Sequence, residues 1–290
     1  MTRTGNRLEY GHYASIFSAL LRGDPARDGV WHRKAERLHA LGVNDQLVEV
    51  MTRAIHVAQA YEGSDAAHQL THGFGRRLKF IWLSMRSLIS VCPPDRTKPM
   101  SSDEVEKTAR DLNVIYINIR GCLDNLAWAL PSVLNHGGPI QPMAVDLFSS
   151  KYLTGIGGDA LDPVVEPYRA WAKEISTRRN PAAHRIPLSV PPSILDRTTS
   201  GDFQRAYQIF QEAQATAFAA CRPGHYPEAE FAAARAAFEA TESIGVFVPV
   251  FVHHPADGHT PIYPTVPTDV GQLLELSTSI IEELRLLAVA

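Results

Sequence analysis

Residues 101–130 read SSDEVEKTARDLNVIYINIRGCLDNLAWAL, and this stretch decides the fold. Ser101 or Ser102 can cap a helix, and the two acidic residues that follow suit its positive N-terminal end. Apolar residues then recur at steps of three and four, which predicts a long amphipathic helix with a kink or an end at Pro131. The repeating residues are Val105, Leu112, Ile115, Ile119, Leu123, Leu126 and Leu130.

The same helical spacing of apolar residues recurs on both sides of this stretch. A Gly/Asp/Pro-rich link at 23–29 separates the first two helices, and Cys92-Pro93-Pro94 ends the third. Thr268 or Asp269 can cap the last helix. Residues 136–162, rich in glycine and proline, predict a long loop, and such loops are usually functional or mobile. The predicted helices cover 7–22, 44–61, 74–91, about 166–180, 203–219, 228–242 and 270–288.

Valine, phenylalanine and proline alternate over 245–253, which predicts a strand that returns at 260–266 through a turn at 255–258. Pro249 favours an edge position. The fold class is therefore mainly α, a helical bundle with a small β-hairpin inserted before the C-terminal helix. We divide the chain into an N-terminal helical extension, 1–95, and a helical domain, 96–290, that carries the hairpin at about 245–266.

Composition indicates an ordered protein, because 45% of the 290 residues are hydrophobic and 20% are charged. A net charge of -3 argues against a general DNA-coating protein, yet it leaves room for an RNA-cutting enzyme with a local basic cleft. Three cysteines without a close pair frame neither disulfides nor a zinc site, which favours a reducing cytoplasm. We expect no signal peptide and no membrane span, since the apolar stretch 80–91 is short and contains Arg86.

Chemistry concentrates in Arg179-Asn180-Pro181-Ala182-Ala183-His184. Arg179 can hold a phosphate through two hydrogen bonds, and His184 can act as a base or an acid near neutral pH. RNA supplies its own nucleophile, the 2'-hydroxyl, so a base and a cation at the phosphate suffice for cleavage without a metal. The helical pattern breaks at Asn180-Pro181, which predicts a kink that fixes the two groups relative to each other.

This motif resembles the R-x(4–6)-H signature of HEPN domains, including the asparagine that often follows the arginine. The upstream helix, with Asn118-Ile119-Arg120-Gly121-Cys122-Leu123-Asp124-Asn125-Leu126-Ala127, is similar to their polar-spotted first core helix. The continuation His184-Arg185-Ile186-Pro187-Leu188 is similar to a run in bacterial proteins of this kind. The resemblance covers about residues 100–190 and the last helix.

The resemblance implies a homodimeric HEPN-like bundle that is a metal-independent endoribonuclease of toxin–antitoxin or phage-defence systems, acting on RNA and restrained by an antitoxin protein. It implies catalytic roles for Arg179 and His184. Asn180, Arg120 and Asp124 become supporting, substrate-binding residues. It implies neither a metal nor a cofactor. One toxin subgroup carries a tyrosine where Ile186 stands, so regulation by modification of that tyrosine does not carry over.

Plainer explanations stay open for each of these residues. Arg179 and His184 can decorate a helix end near its negative dipole, and the alternative function is a non-catalytic HEPN-like module that binds RNA, a nucleotide or a partner protein. Arg120 and Asp124 can form an ordinary intrahelical ion pair. His68 and His72 could bind a metal, but no third ligand is recognisable near them. Two larger sets have solvation as their simplest explanation: the basic residues Arg76, Arg77, Lys79 and Arg86, and the turn cluster His253, His254, Asp257 and His259.

Overall fold

The computed structural model describes residues 25–184, 186–253 and 258–288, with side chains for all of these except 25–31, Pro181 and His184. The predicted helix 7–22 lies outside the described residues, and so does most of the predicted turn 255–258. Within the described ranges the chain is mainly α-helical, with one small two-stranded sheet just before the last helix, as the sequence predicts.

Ten α-helices and two strands are numbered here along the described residues. They are α1 (Pro25–Gln59), α2 (Asp65–His68), α3 (Arg76–Val91), α4 (Ser102–Val133), α5 (Ser150–Gly155), α6 (Asp162–Val165), α7 (Arg169–His184), α8 (Arg197–Ala220), α9 (Glu228–Glu242), β1 (Val250–Phe251), β2 (Thr260–Pro261) and α10 (Thr265–Leu287). A π-helical stretch, Gln69–Gly75, joins α2 to α3, and 3-10 turns occupy Pro142–Ala144, Asp159–Leu161 and Glu166–Tyr168.

The start of α4 confirms the predicted cap. Ser101 Oγ accepts the backbone N–H of Glu104, while the Glu104 carboxylate accepts the N–H of Ser101 at 2.9 Å. This reciprocal pair satisfies two amides that the helix itself cannot. Pro131 does not end the helix, which continues to Val133.

Other predicted boundaries are wrong. The expected link at 23–29 is already helical from Pro25, because proline suits a first turn. The expected loop at 136–162 contains α5 and two 3-10 turns. The expected break at Asn180-Pro181 is absent, since α7 continues to His184; a proline in the last turn removes only one helical hydrogen bond.

The last helix also begins earlier than predicted, at Thr265, directly after Pro264. Pro267 fits the first turn, where the missing N–H would be unpaired in any case. Asp269 is therefore inside α10 and 4% exposed, and neither it nor Thr268 is the N-cap. The two strands are shorter than predicted and pair antiparallel, with Val250 opposite Pro261.

Helix α4 lies at the centre, packed against α3, α7 and α10, and α1 packs on α3 and α10. One hydrophobic core contains side chains from all of these helices, among them Leu47, Leu78, Tyr116 and Leu273. The Tyr61 hydroxyl, just after α1, donates to the carbonyl of Leu284 in α10 at 2.6 Å. Both sides of residue 95 thus contribute to one core, and the division at that point stays a prediction.

Helices α8 and α9 form an antiparallel pair that packs mainly on itself. Its base is attached where the backbone N–H of Ser102 donates to Glu242 at 2.6 Å and where Ile194 bridges Val246. In these two helices only Ala217, Ala234 and Thr241 are buried. We call this pair the α8–α9 arm. None of the described helices is long and apolar enough to span a membrane.

Candidate functional site

Helix α7 carries the motif that the sequence singles out. Arg179 is half-buried and its Nη1 donates to Oδ1 of the exposed Asn180 at 3.2 Å. His184 is the last residue of the helix, and its side chain lies outside the described structure. The predicted meeting of the guanidinium and the imidazole therefore stays a prediction, while the surroundings of Arg179 are defined.

Arg179 belongs to a group that we call the arginine cluster: Arg77, Arg120, Asp124, Asp146 and Arg179. Within α4, Arg120 Nε contacts Asp124 Oδ1 at 3.0 Å, one helical turn away, as the sequence allows. Arg120 Nη2 also reaches Asp146 Oδ1, at 3.4 Å, in the segment before α5. The positive charges of Arg179 and Arg77 act on the same Asp124 carboxylate. The fold thus brings together three predicted residues, Arg120, Asp124 and Arg179.

Arg77, the second residue of α3, was expected on a solvated face, and that expectation is wrong. Its side chain is half-buried against α4, with Nε donating to Asn125 Oδ1 at 2.9 Å and Nη1 donating to Asn118 Oδ1 at 3.2 Å. The rest of that set, Arg76, Lys79 and Arg86, is exposed as predicted.

Gly121 makes room for this guanidinium. A Cβ at this position would lie 2.4 Å from both Cζ and Nη1 of Arg77, closer than any real contact. Glycine in the middle of a helix costs about 1 kcal/mol relative to alanine, so its presence needs a reason, and the close approach of Arg77 supplies one. An isolated glycine within the strongest amphipathic pattern of the sequence was the signal for this contact.

Asn125 connects the cluster to the π-helical stretch. Its Nδ2 donates to Gln69 Oε1 at 2.7 Å, and a Cβ on Gly73 would lie 2.4 Å from that same nitrogen. π-Helical turns often accompany functional sites, because the extra residue re-aims a side chain. Here the stretch brings Gln69 and Gly73 onto α4 beside Asp124.

Burial raises the pKa of Asp124 above its ordinary value, while Arg120, Arg179 and Arg77 oppose that rise and Asp146 adds to it. The cluster contains three guanidinium groups and two carboxylates, so it is positive overall when all are ionised. A half-exposed group of arginines with excess positive charge can take a phosphate oxygen.

A second polar network holds an adjacent side of α7, about 100° around the helix from Arg179, and is centred on Asp269 of α10. The Asp269 carboxylate accepts hydrogen bonds from Tyr116 at 2.9 Å, Trp171 Nε1 at 3.1 Å and Arg178 Nη1 at 2.6 Å. We call this the Asp269 network. It joins α4, α7 and α10, and the Arg178 guanidinium lies 5.8 Å from the centre of the Tyr116 ring.

Burial raises the pKa of Asp269, and the Arg178 charge and the donated hydrogen bonds oppose that rise. The nearby carboxylate in turn raises the pKa of Arg178, despite burial acting the other way. A buried carboxylate stays ionised only with such partners. The sequence does not indicate this network, because nothing in the local pattern around Asp269 distinguishes a helix cap from a buried acceptor.

The other predicted candidates do not form a further site among the described residues. His68 and His72 are exposed with ring centres 5.1 Å apart, and no group of three or more possible metal ligands occurs in the described part of the chain. Of the turn cluster, His254 and Asp257 lie outside the described residues.

No protein-family model matches the sequence, and no curated protein or solved structure matches the chain. Proposals about its chemistry therefore rest on its own residues.

Proposed function

We propose that the protein is a metal-independent endoribonuclease of the HEPN type. The observation that carries the proposal is the convergence of Arg179, Arg120 and Arg77 around Asp124 on one partly exposed face. Three of these residues, Arg179, Arg120 and Asp124, belong to the segments that resemble HEPN domains. A local excess of guanidinium groups suits a phosphodiester better than a neutral substrate.

In the proposed reaction His184 accepts the proton of an RNA 2'-hydroxyl. The freed oxygen attacks the adjacent phosphorus, the bond to the 5'-oxygen breaks, and that oxygen takes up a proton as it leaves. The products are a 2',3'-cyclic phosphate and a 5'-hydroxyl end. Arg179 offsets the charge that builds on the phosphate, and Asn180 orients it.

Arg120 and Asp124 are positioning residues in this proposal, together with Arg77. The ion pair of Arg120 with Asp124 fixes the α4 side of the cluster, and the two asparagine contacts fix Arg77. The proposal includes a cytoplasmic homodimer that joins two such sites, with a toxin–antitoxin or phage-defence role and an antitoxin protein as partner.

One observation favours a second function, a non-catalytic module that binds RNA, a nucleotide or a partner protein. Arg77 and Arg120 already have partners within the chain, which limits how far they can move onto a substrate. An arginine held in this way can still bind an anion through its remaining N–H groups. This state would bind RNA without cutting it.

The test is incubation of the purified full chain with a defined RNA in EDTA. We expect fragments that end in a cyclic phosphate, none from an RNA with 2'-deoxyribose at the cleavage site, and none with His184→Ala. Arg285→Ala, which changes an exposed arginine outside the cluster, is the control and should cleave normally. RNA binding without cleavage would favour the second function, and neither binding nor cleavage would overturn both.

A further inference from the structure

The α8–α9 arm leaves an unusual amount of aromatic surface open to solvent. Tyr226 is 63% exposed and Phe218 is 62% exposed, and Ile209 is 59% exposed. Two amphipathic helices cannot enclose their apolar faces by themselves, so such a pair normally packs on a further surface. Among the described residues the rest of the chain does not provide one, because the arm contacts it mainly at its base.

One face of α9 is concave and mixes large, small and charged side chains. We call it the α9 patch. Its N-terminal half carries the aromatic side chains, and the small side chains, both alanines, follow them. Tyr226 and Phe231 stack with ring centres 4.8 Å apart and their planes 1° from parallel. The spacing of three and four residues places the helical members on one side of α9. The patch consists of Tyr226, Glu228, Phe231, Ala232, Arg235, Ala236 and Glu239.

We propose that the α9 patch binds the α9 patch of a second copy of this chain, with the two helices antiparallel. With a two-fold axis between positions 231 and 232, Phe231 of each copy meets Ala232 of the other. In the same register Tyr226 faces Ala237 of the second copy and lies next to its Ala236. Large side chains thus meet small ones on both sides of the axis, as packed helix pairs require.

Charge supports the same register. In it, Glu228 of one copy lies opposite Arg235 of the other, and the two-fold axis forms this pair twice. Neither residue makes an ion pair with another described residue, and both are exposed. Within α9, Glu228 and Arg235 are two turns apart, too far to pair with each other.

Net charge argues against the two other obvious occupants, RNA and an anionic membrane. Residues 197–242 carry six acidic residues and four arginines. A surface with excess negative charge repels phosphate groups, whereas the mixed signs of the α9 patch suit a copy of itself. The proposal does not depend on cleavage of RNA.

The test is a charge exchange followed by sedimentation velocity. Arg235→Glu places two glutamates face to face across the axis, and Glu228→Arg places two arginines face to face. We expect each single change to raise the dissociation constant of the dimer roughly tenfold or more. The double exchange, Glu228→Arg with Arg235→Glu, should restore association.

Cross-linking separates this interface from any dimer formed at the arginine cluster. In a Cys221→Ser background, Ala232→Cys should cross-link between copies with a short bismaleimide, because position 232 lies beside the axis. Ala233→Cys, equally exposed but about 100° around the helix, is the matched control and should react far less. A wild-type chain that stays monomeric would overturn the proposal, as would single exchanges without effect or equal cross-linking at both positions.

Discussion

Two polar networks lie on adjacent sides of α7, and neighbouring arginines enter them. Arg178 points to the Asp269 network, whose central carboxylate is 6% exposed. Arg179 faces the arginine cluster, where the Asp124 side chain is 42% exposed. Both networks combine arginine with aspartate, and they differ in burial and in the balance of charge.

The difference suits a structural role for the Asp269 network and the proposed binding role for the arginine cluster. The Asp269 network is closed: one carboxylate accepts three donors from α4 and α7, and one arginine neutralises it. The arginine cluster has three cations for two carboxylates and stays open to solvent. A closed buried network fixes the position of α7, and an open cationic one can take an anion.

The largest effect is expected at the closed network. Asp269→Ala leaves the Arg178 guanidinium without its main partner and removes the acceptor of Tyr116 and Trp171. Because an unpaired buried charge is costly, we expect the free energy of unfolding to fall by about 3 kcal/mol in urea titrations. Glu282→Ala, which breaks an exposed ion pair with Arg285, should leave the unfolding midpoint nearly unchanged because solvent screens that pair. Equal losses in the two variants would contradict the structural role of the Asp269 network.

Gly121→Ala tests the packing under Arg77. The new methyl group displaces the guanidinium from Asn118 and Asn125, so we expect a loss of about 1–2 kcal/mol despite the better helix propensity of alanine. The matched control is Gly201→Ala in α8, where the nearest side-chain atom is an ordinary 3.7 Å away. That variant should gain up to about 1 kcal/mol in urea titrations. A gain at both positions would show that Arg77 is not held against α4.

An ion pair outside both networks provides a reference. Arg96 donates from Nη1 and Nη2 to the two oxygens of Glu104, each at 2.7 Å, and lowers the pKa of Glu104 to about 2. A lowered pKa means stability that is present above the ordinary value of 4.5 and lost as the pH falls toward 2. Glu104→Gln should therefore flatten the acid side of the stability profile, by at most about 1 kcal/mol because the pair is partly exposed. An unchanged profile would contradict the role of the pair.

The smallest effect is expected at Asp124. Asp124→Asn removes a partly exposed ion pair and should change the free energy of unfolding by less than about 1 kcal/mol at neutral pH. Since burial raises the pKa of Asp124, its contribution is fully present below the ordinary value of 3.8 and is lost as the pH rises through the folded value. Relative to the variant, the wild type should lose stability over that rise in urea titrations. A loss at Asp124 as large as at Asp269 would make both networks structural.

The sequence predicts the helical class because the three- and four-residue spacing of apolar residues indicates directly which side of each helix is buried. The seven apolar positions of α4 and its cap at Ser101 are read from local spacing alone. The predicted boundaries that failed treat proline as the sign of a helix end or a link. Pro25, Pro131 and Pro181 all lie within helices. In the first turn of a helix the N–H would be unpaired in any case, whereas Pro131 and Pro181 each remove one hydrogen bond close to the C-terminal end and the helix still continues past them.

The candidate site was predicted in part. Arg120 with Asp124 followed from i, i+4 spacing, and Arg179 from its motif. Arg77 and Asn118 come from packing between α3 and α4, which single-helix patterns do not contain. The Asp269 network joins residues 153 positions apart, Tyr116 and Asp269, and only the tertiary fold defines it.

In the proposed function Arg179 binds the substrate, whereas Arg178 stabilises the fold through Asp269. The direct measurement is the rate of RNA cleavage by Arg179→Gln, made beside a urea titration of the same sample. We predict a rate about 100-fold below wild type, in the range seen when one charge-stabilising donor is lost, with an unchanged unfolding midpoint. Cleavage at the wild-type rate, or a loss of activity explained by a fall in the unfolding midpoint, would contradict the account.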